Sequence, residues 1–171
     1  MATPVTHSNP LVPVTLVTGL PCSGKSTLIR RIVGHQHAER IVWIAKTFAS
    51  ALRVLHPEEH LVEIEDPDLR CTVRGDLMQV VRELQARRAA GTLKYHRIVI
   101  ETSGLTDPAP AVQAFFVDET LRDQYRLDAV VTVLDARHAM AQLDAHREAQ
   151  DQVGFADRIV LTRLKQVADD D

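Results

Sequence analysis

The sequence predicts an α/β domain built on a mainly parallel β-sheet with helices on both faces. Three observations carry that expectation. Apolar, β-branched runs of strand length recur along the chain, separated by segments whose apolar residues fall at helical spacing. The runs are near-continuous rather than alternating, as strands covered on both faces are. At 171 residues, with 45% hydrophobic and 25% charged residues, the chain has the size and composition of one ordinary globular domain.

Each element follows in order. Residues 1–11 hold two prolines, Ser and Asn and read as a loose lead-in. Val12–Thr18 is a buried strand that ends at Gly19. Leu28, Ile29, Ile32 and Val33 keep helical spacing, with Gly34 as the stop. Arg40–Ala45 is a second strand. Residues 46–60 are ambiguous, since Pro57 breaks a helix there. Leu61–Ile64 is a third strand, followed by the turn signal Asp66-Pro67-Asp68. Asp76 and Gln79 form a capping box for a helix striped by Leu77, Val80, Val81 and Leu84 and ended by Gly91. Arg97–Ile100 is a strand closed by Glu101. Asp107 caps a helix with Pro108 first, which buries Val112, Phe115 and Phe116. Asp128–Leu134 is a strand ending at Asp135, residues 138–155 are helix with a break, and Arg158–Thr162 is the last strand. The expected organisation is one domain over residues 12–165 with a frayed tail at 166–171.

Composition narrows the function classes. A net charge of −3, with Lys and Arg spread along the chain, gives no electrostatic footprint for nucleic acid. No apolar run approaches the ~20 residues that cross a bilayer, so no membrane partner is expected. The first residues lack a basic and then apolar leader. Two cysteines, Cys22 and Cys71, cannot staple a fold, so the expected compartment is the reducing cytoplasm.

Gly19-Leu20-Pro21-Cys22-Ser23-Gly24-Lys25-Ser26 fits the pattern GxxxxGK[ST], with a strand before it and a helix after it. This is a phosphate-binding loop, and it makes the expected fold a P-loop NTPase. Glycines let the backbone turn so that successive N–H groups face an anion, and the helix N-terminus adds a favourable dipole. Lys25 would reach the β- and γ-phosphates, Ser26 would ligate Mg²⁺, and Thr27 would touch the α-phosphate. A second signal is RIVIETSG over 97–104. Glu101 at a strand's C-terminal end can hold Mg²⁺ directly or through water. Gly104, three residues on, can bring its N–H to the γ-phosphate.

GLPCSGKST, CTVRGDL, IETSGLTDP, DAVVTVLDARH and ADRIVLT stand in this order between Val12 and Arg163. Together they resemble the CobW-type metallochaperone GTPases. The resemblance implies a domain that binds GTP and Mg²⁺, hydrolyses GTP slowly and serves delivery of zinc or cobalt to a metalloprotein client. It assigns Gly19, Pro21, Cys22, Ser23, Gly24, Lys25, Ser26 and Thr27 to the phosphates and Mg²⁺. Lys25, Glu101 and Gly104 become the candidate catalytic residues, with Asp107 anchoring the switch. Thr162 and Arg163 fall on the guanine loop, and Cys71 on the metal motif as a candidate zinc ligand.

The sequence departs from the family in four places. The family's CxCC stands here as Asp68, Leu69, Arg70 and Cys71, and a single thiol is a poor zinc cage. Its first switch motif is matched by Lys46-Thr47-Phe48-Ala49, without a carboxylate. Its guanine motif, Asn-Lys-x-Asp, is Thr162-Arg163-Leu164-Lys165 here. The family's C-terminal domain is expected to be absent. Two other readings stay open on the residues alone: an ATP-dependent small-molecule kinase, and a non-catalytic remnant that binds nucleotide or a partner.

Overall fold

The structure, a computed structural model, describes residues 11–34, 40–46, 51–56, 59–65 and 73–167. In chain order the elements are β1 (Val12–Thr18), α1 (Lys25–Val33), β2 (Ile41–Lys46), β3 (Ala51–His56), β4 (Glu59–Glu65), α2 (Val73–Ala89), β5 (Arg97–Glu101), α3 (Ala109–Val117), α4 (Glu119–Arg122), β6 (Tyr125–Asp135), α5 (Ala139–Ala145), α6 (Arg147–Gly154) and β7 (Arg158–Thr162). The strands form one sheet in the order β4-β3-β2-β5-β1-β6-β7. The five strands from β2 to β7 in that order run parallel, while β3 and β4 extend the sheet as an antiparallel pair. β3 lies in the stretch whose sequence is ambiguous: six residues with two polar interruptions, Arg53 and His56, match no long period.

Side-chain alternation along the strands divides the core into two layers. On one face Val12, Val14, Leu16, Val42, Ile44, Ile98 and Ile100 pack with Leu77, Val80, Val81 and Leu84 of α2 and Phe115 of α3. On the other face Val17, Ile41, Trp43, Ala45, Val99 and Val133 pack with Ile29 of α1. β1 pairs with β5 on one side and β6 on the other, and is the deepest strand. The chain runs from β1 to β2 on one side of it and from β5 to β6 on the other, and the C-terminal ends at such a switch point are where open α/β sheets place their ligands.

Two details differ from the sequence expectation. α2 begins at Val73, so Asp76 lies in its first turn rather than at its cap. Phe116 is 64% exposed, because α3 turns only Ala111, Ala114 and Phe115 fully inward. Gly91 behaves as expected: it takes φ +73°, and the chain after α2 folds back so that Thr92 and Leu93 donate to the Arg87 carbonyl. Among the described residues no helix is long and apolar enough to cross a membrane.

At the base of the first core layer Tyr95 and Tyr125, 2% and 1% exposed, share a hydrogen bond of 2.6 Å between their hydroxyls. Burial first, and then the shared proton site, pushes the Tyr95 hydroxyl well above the usual tyrosine value; burial also raises Tyr125. Both therefore stay neutral and depend on each other for pairing. Tyr125→Phe should destabilise the fold by about 1–3 kcal/mol, because it strands a buried hydroxyl. Adding Tyr95→Phe should recover most of that loss. Urea denaturation of both single variants and the double variant measures the coupling.

Candidate functional site

The loop between β1 and α1 is built on unusual backbone. Gly19 has φ +140°, Gly24 φ +103° and Cys22 φ +62°. A side chain at Gly19 would run into the carbonyl of Val133 in β6, and one at Gly24 would meet Thr162 Cγ2 at 3.2 Å. Cys22 accepts the left-handed conformation at a cost of about 1–2 kcal/mol. The result is a closed turn, with Ser23 N–H donating to the Leu20 carbonyl at 3.2 Å, that leads straight into α1.

Lys25 opens α1 and is 7% exposed. Its ammonium lies inside the loop and donates to the carbonyls of Gly19 at 2.8 Å and Leu20 at 2.9 Å. Burial lowers its pKa from the ordinary lysine value, opposed by the negative field of Glu101 and of Cys22. Ser26, the next residue, donates its hydroxyl to Glu101 Oε1 at 2.6 Å. Two oxygen groups that lie 75 residues apart in sequence thus meet at the ends of β1 and β5. Ser23 Oγ is buried and has no hydrogen-bond partner among the described residues. Pro21 and Cys22 are exposed on the loop, and Thr27 is exposed in the first turn of α1.

The segment after β5 lies against this loop. Thr102 donates its N–H to the Val17 carbonyl and its hydroxyl to Thr18 Oγ1, both at 3.0 Å. Gly104 is pressed onto Pro21 so closely that any side chain there would collide with the proline ring. Ser103 and Thr106 share a hydroxyl hydrogen bond. Asp107 Oδ1 accepts the N–H of Ala109 at 2.8 Å, so it caps α3 as its sequence position implies.

On the other flank the ends of β6 and β7 clasp the loop from beneath. Thr162 donates its hydroxyl to the Ser23 carbonyl at 2.7 Å. Arg163, with φ +57°, turns its guanidinium back to donate to the Cys22 carbonyl at 2.9 Å and to Asp135 Oδ2 at 2.7 Å. Asp135 is 4% exposed and also receives Arg137 and His138 Nδ1. The Arg137 guanidinium, with help from His138, holds the Asp135 carboxyl well below the usual carboxylate range. Lys165 stands on the 3₁₀ turn Leu164–Gln166 and is exposed. Cys71 lies outside the described residues, as do Thr47, Phe48, Ala49, Asp68 and Asp169–Asp171.

Residues 13–171 match the family description CobW/HypB/UreG, nucleotide-binding domain. The chain belongs to this family. It is 34% identical over 163 residues to the zinc chaperone YjiA of Escherichia coli, a match spanning 91% of this chain and 50% of that one. It is 36% identical over 155 residues to the zinc chaperone CobW of Pseudomonas aeruginosa, spanning 82% and 40%. The zinc(II)-bound YjiA GTPase from Escherichia coli superposes with a TM-score of 0.75 at 29% identity, over 94% of this chain and 52% of that one. A zinc(II)-bound triple mutant of YjiA superposes at 0.77. The chain therefore spans about half the length of the relatives it matches.

The family assignment puts the phosphate loop and the sheet in one CobW-type nucleotide-binding domain. Two polar residues of this domain escaped sequence reasoning. Asp135 gives only one signal, a carboxylate at a strand's C-terminal end like Glu101. Gln152 gives none, because a lone Gln on a helix is ordinarily a solvated residue; it is fully buried.

Asp135 makes acid stability a direct test. A carboxylate whose pKa is depressed in the fold stabilises it above the unfolded value of about 4, and loses that contribution as pH falls through the folded value. Asp135→Asn should lower the denaturation midpoint at pH ~7. The gap between parent and variant should begin to narrow below pH ~5 and keep narrowing down to pH ~2. A gap that stays constant across that window overturns the assignment.

Proposed function

We propose that this chain is a Mg²⁺-dependent GTP-binding domain that hydrolyses GTP slowly. The observation that carries the reading is the convergence of Lys25, the Ser26–Glu101 pair and Gly104 on one loop at the C-terminal ends of β1 and β5. The donor set suits a triphosphate. It offers a buried ammonium, loop N–H groups at the start of α1, and the buried hydroxyl of Ser23 with no protein partner among the described residues. Ser26 and Glu101 supply the hard oxygens that Mg²⁺ prefers. Mg²⁺, when bound, would neutralise charge that develops on the phosphoryl oxygens.

In this reading the chain's own residues position and stabilise rather than react. Lys25 transfers its donors from the Gly19 and Leu20 carbonyls to phosphate oxygens, and its partial burial strengthens that interaction. Gly104 brings the backbone after β5 within reach of the terminal phosphate, because it has no side chain to hold Pro21 away. Thr162 and Arg163 support the loop through its carbonyls from beneath. Delivery of zinc to a metalloprotein client, read from relatives named as zinc chaperones, is the wider role we assign. Cys71 is this chain's contribution to it from the family's metal motif. Among the described residues no group of three or more His, Cys, Asp or Glu is placed to hold a metal.

Lys25→Ala should weaken triphosphate binding roughly tenfold to a hundredfold, the value of a hydrogen bond to a charged group. Circular dichroism should show the fold intact. Titration calorimetry with Mg²⁺–GTP checks this, and undiminished affinity would falsify the site.

Base choice is the second test. A guanine-reading aspartate accepts from two guanine N–H groups, and Lys165 at that position offers only donors. Arg163 is committed to Asp135 and the Cys22 carbonyl. Binding should therefore be dominated by the phosphates, with GTP favoured over ATP by less than about tenfold, or ~1.4 kcal/mol. A hundredfold preference in competitive titration would show that another residue reads the base.

A further inference from the structure

One side chain of α6 reaches the segment after β5, and the proposed chemistry does not use it. Gln152 is 0% exposed, one helical turn from the equally buried Ala149. An apolar residue at this position would bury its side chain without giving up hydration. The hydrogen bonds of the glutamine amide offset that cost. Nε2 donates to the Gly104 carbonyl at 3.1 Å and to the Thr106 carbonyl at 3.2 Å. Carbonyls only accept, so the nitrogen has to face them. The orientation leaves Oε1 buried with no donor among the described residues.

The anchor behind this amide is rigid. The carbonyl of Gln152 accepts the Thr132 hydroxyl at 2.6 Å, and Thr132 is a fully buried residue of β6 in register with Thr18 at the end of β1. The 102–106 segment is thus fixed at three points. Thr102 ties its start to Val17 and Thr18, Gly104 packs on Pro21, and Gln152 ties Gly104 and Thr106 to α6. The first two contacts come from β1 and the phosphate loop. The third comes from the opposite side and sets how the peptide planes around Gly104 are turned.

We propose that Gln152 is a positioning residue for the terminal phosphate: it fixes the 104–106 backbone so that the N–H of Gly104 stays aimed at the triphosphate. The inference rests on the role given to Gly104 above. It carries a specific signature, because Gly104 serves the terminal phosphate and not the β-phosphate. Loss of the Gln152 amide should therefore weaken triphosphate binding and spare diphosphate binding. Coupling is reciprocal, so a bound triphosphate should in turn steady α6.

The experiment compares the parent chain with Gln152→Met, which keeps the volume and removes the donors, and Gln152→Glu, which sets a carboxylate against two carbonyls. Each is titrated with Mg²⁺ and either a non-hydrolysable GTP analogue or GDP. Analogue affinity should fall about tenfold or more in both variants, while GDP affinity stays within about twofold. Equal losses for the two nucleotides, or no loss in a folded variant, overturn the positioning role. A parent chain that binds neither nucleotide overturns the nucleotide reading itself, which separates the two failures. Hydrogen exchange on the parent keeps the inference falsifiable if the variants do not fold. Amides of residues 149–154 should gain protection with the analogue and not with GDP, and equal protection in the two complexes refutes the role.

Discussion

The close passage of Gly19 beneath the carbonyl of Val133 is the constraint on which the site depends. It lets the chain leave the innermost strand at φ +140° and double back into α1 without moving away from β6. Any side chain there would push the loop off the sheet. The tight turn in its place points Lys25 inward to the Gly19 and Leu20 carbonyls and brings Ser26 to Glu101. Parallel pairing of β1 with both β5 and β6 supplies the other half of the arrangement. Side chains at the ends of adjacent parallel strands lie close together, however far apart they are in sequence.

A loop with a non-glycine residue at φ +62° stores strain, and the surroundings have to hold it. The ends of β6 and β7 do so through backbone carbonyls. Thr162 takes that of Ser23, and Arg163 takes that of Cys22. Arg163 can serve this way because the buried carboxylate of Asp135 holds its partly exposed guanidinium in place. A pair with one partner in water need not add much net stability, since solvent screens the Coulomb gain. Its effect here is geometric: it sets where the arginine's remaining donors point. The same commitment removes Arg163 from the base side of the site, so support of the phosphate loop and indifference to the base share one cause.

The sequence was most legible where one local rule governs one element. Val12–Thr18 and Arg158–Thr162 match the observed strands residue for residue, because short runs rich in β-branched residues favour extended backbone. The phosphate loop was legible because its glycines answer to backbone sterics within eight residues. Boundaries set by competition were not. Asp76 looked like a cap, yet the helix begins earlier, at Val73. Phe116 looked like core, yet α3 meets the sheet over a narrow stripe and leaves it outside. β3 carries no clear period, and its strand state comes from pairing with β2 and β4.

The sequence by itself determined the class of fold, the phosphate loop and the identity of its polar residues. These follow from backbone geometry and hydrophobic periodicity, which act over a few neighbours. Only the tertiary structure decided which of the distant polar residues act together. Ser26 with Glu101, Arg163 with Asp135 and Gln152 with Gly104 are separated by 75, 28 and 48 residues. Each of these contacts forms because strand order and helix placement bring two groups to within hydrogen-bond distance. A buried polar group needs its partner in place, and the sequence alone does not name that partner.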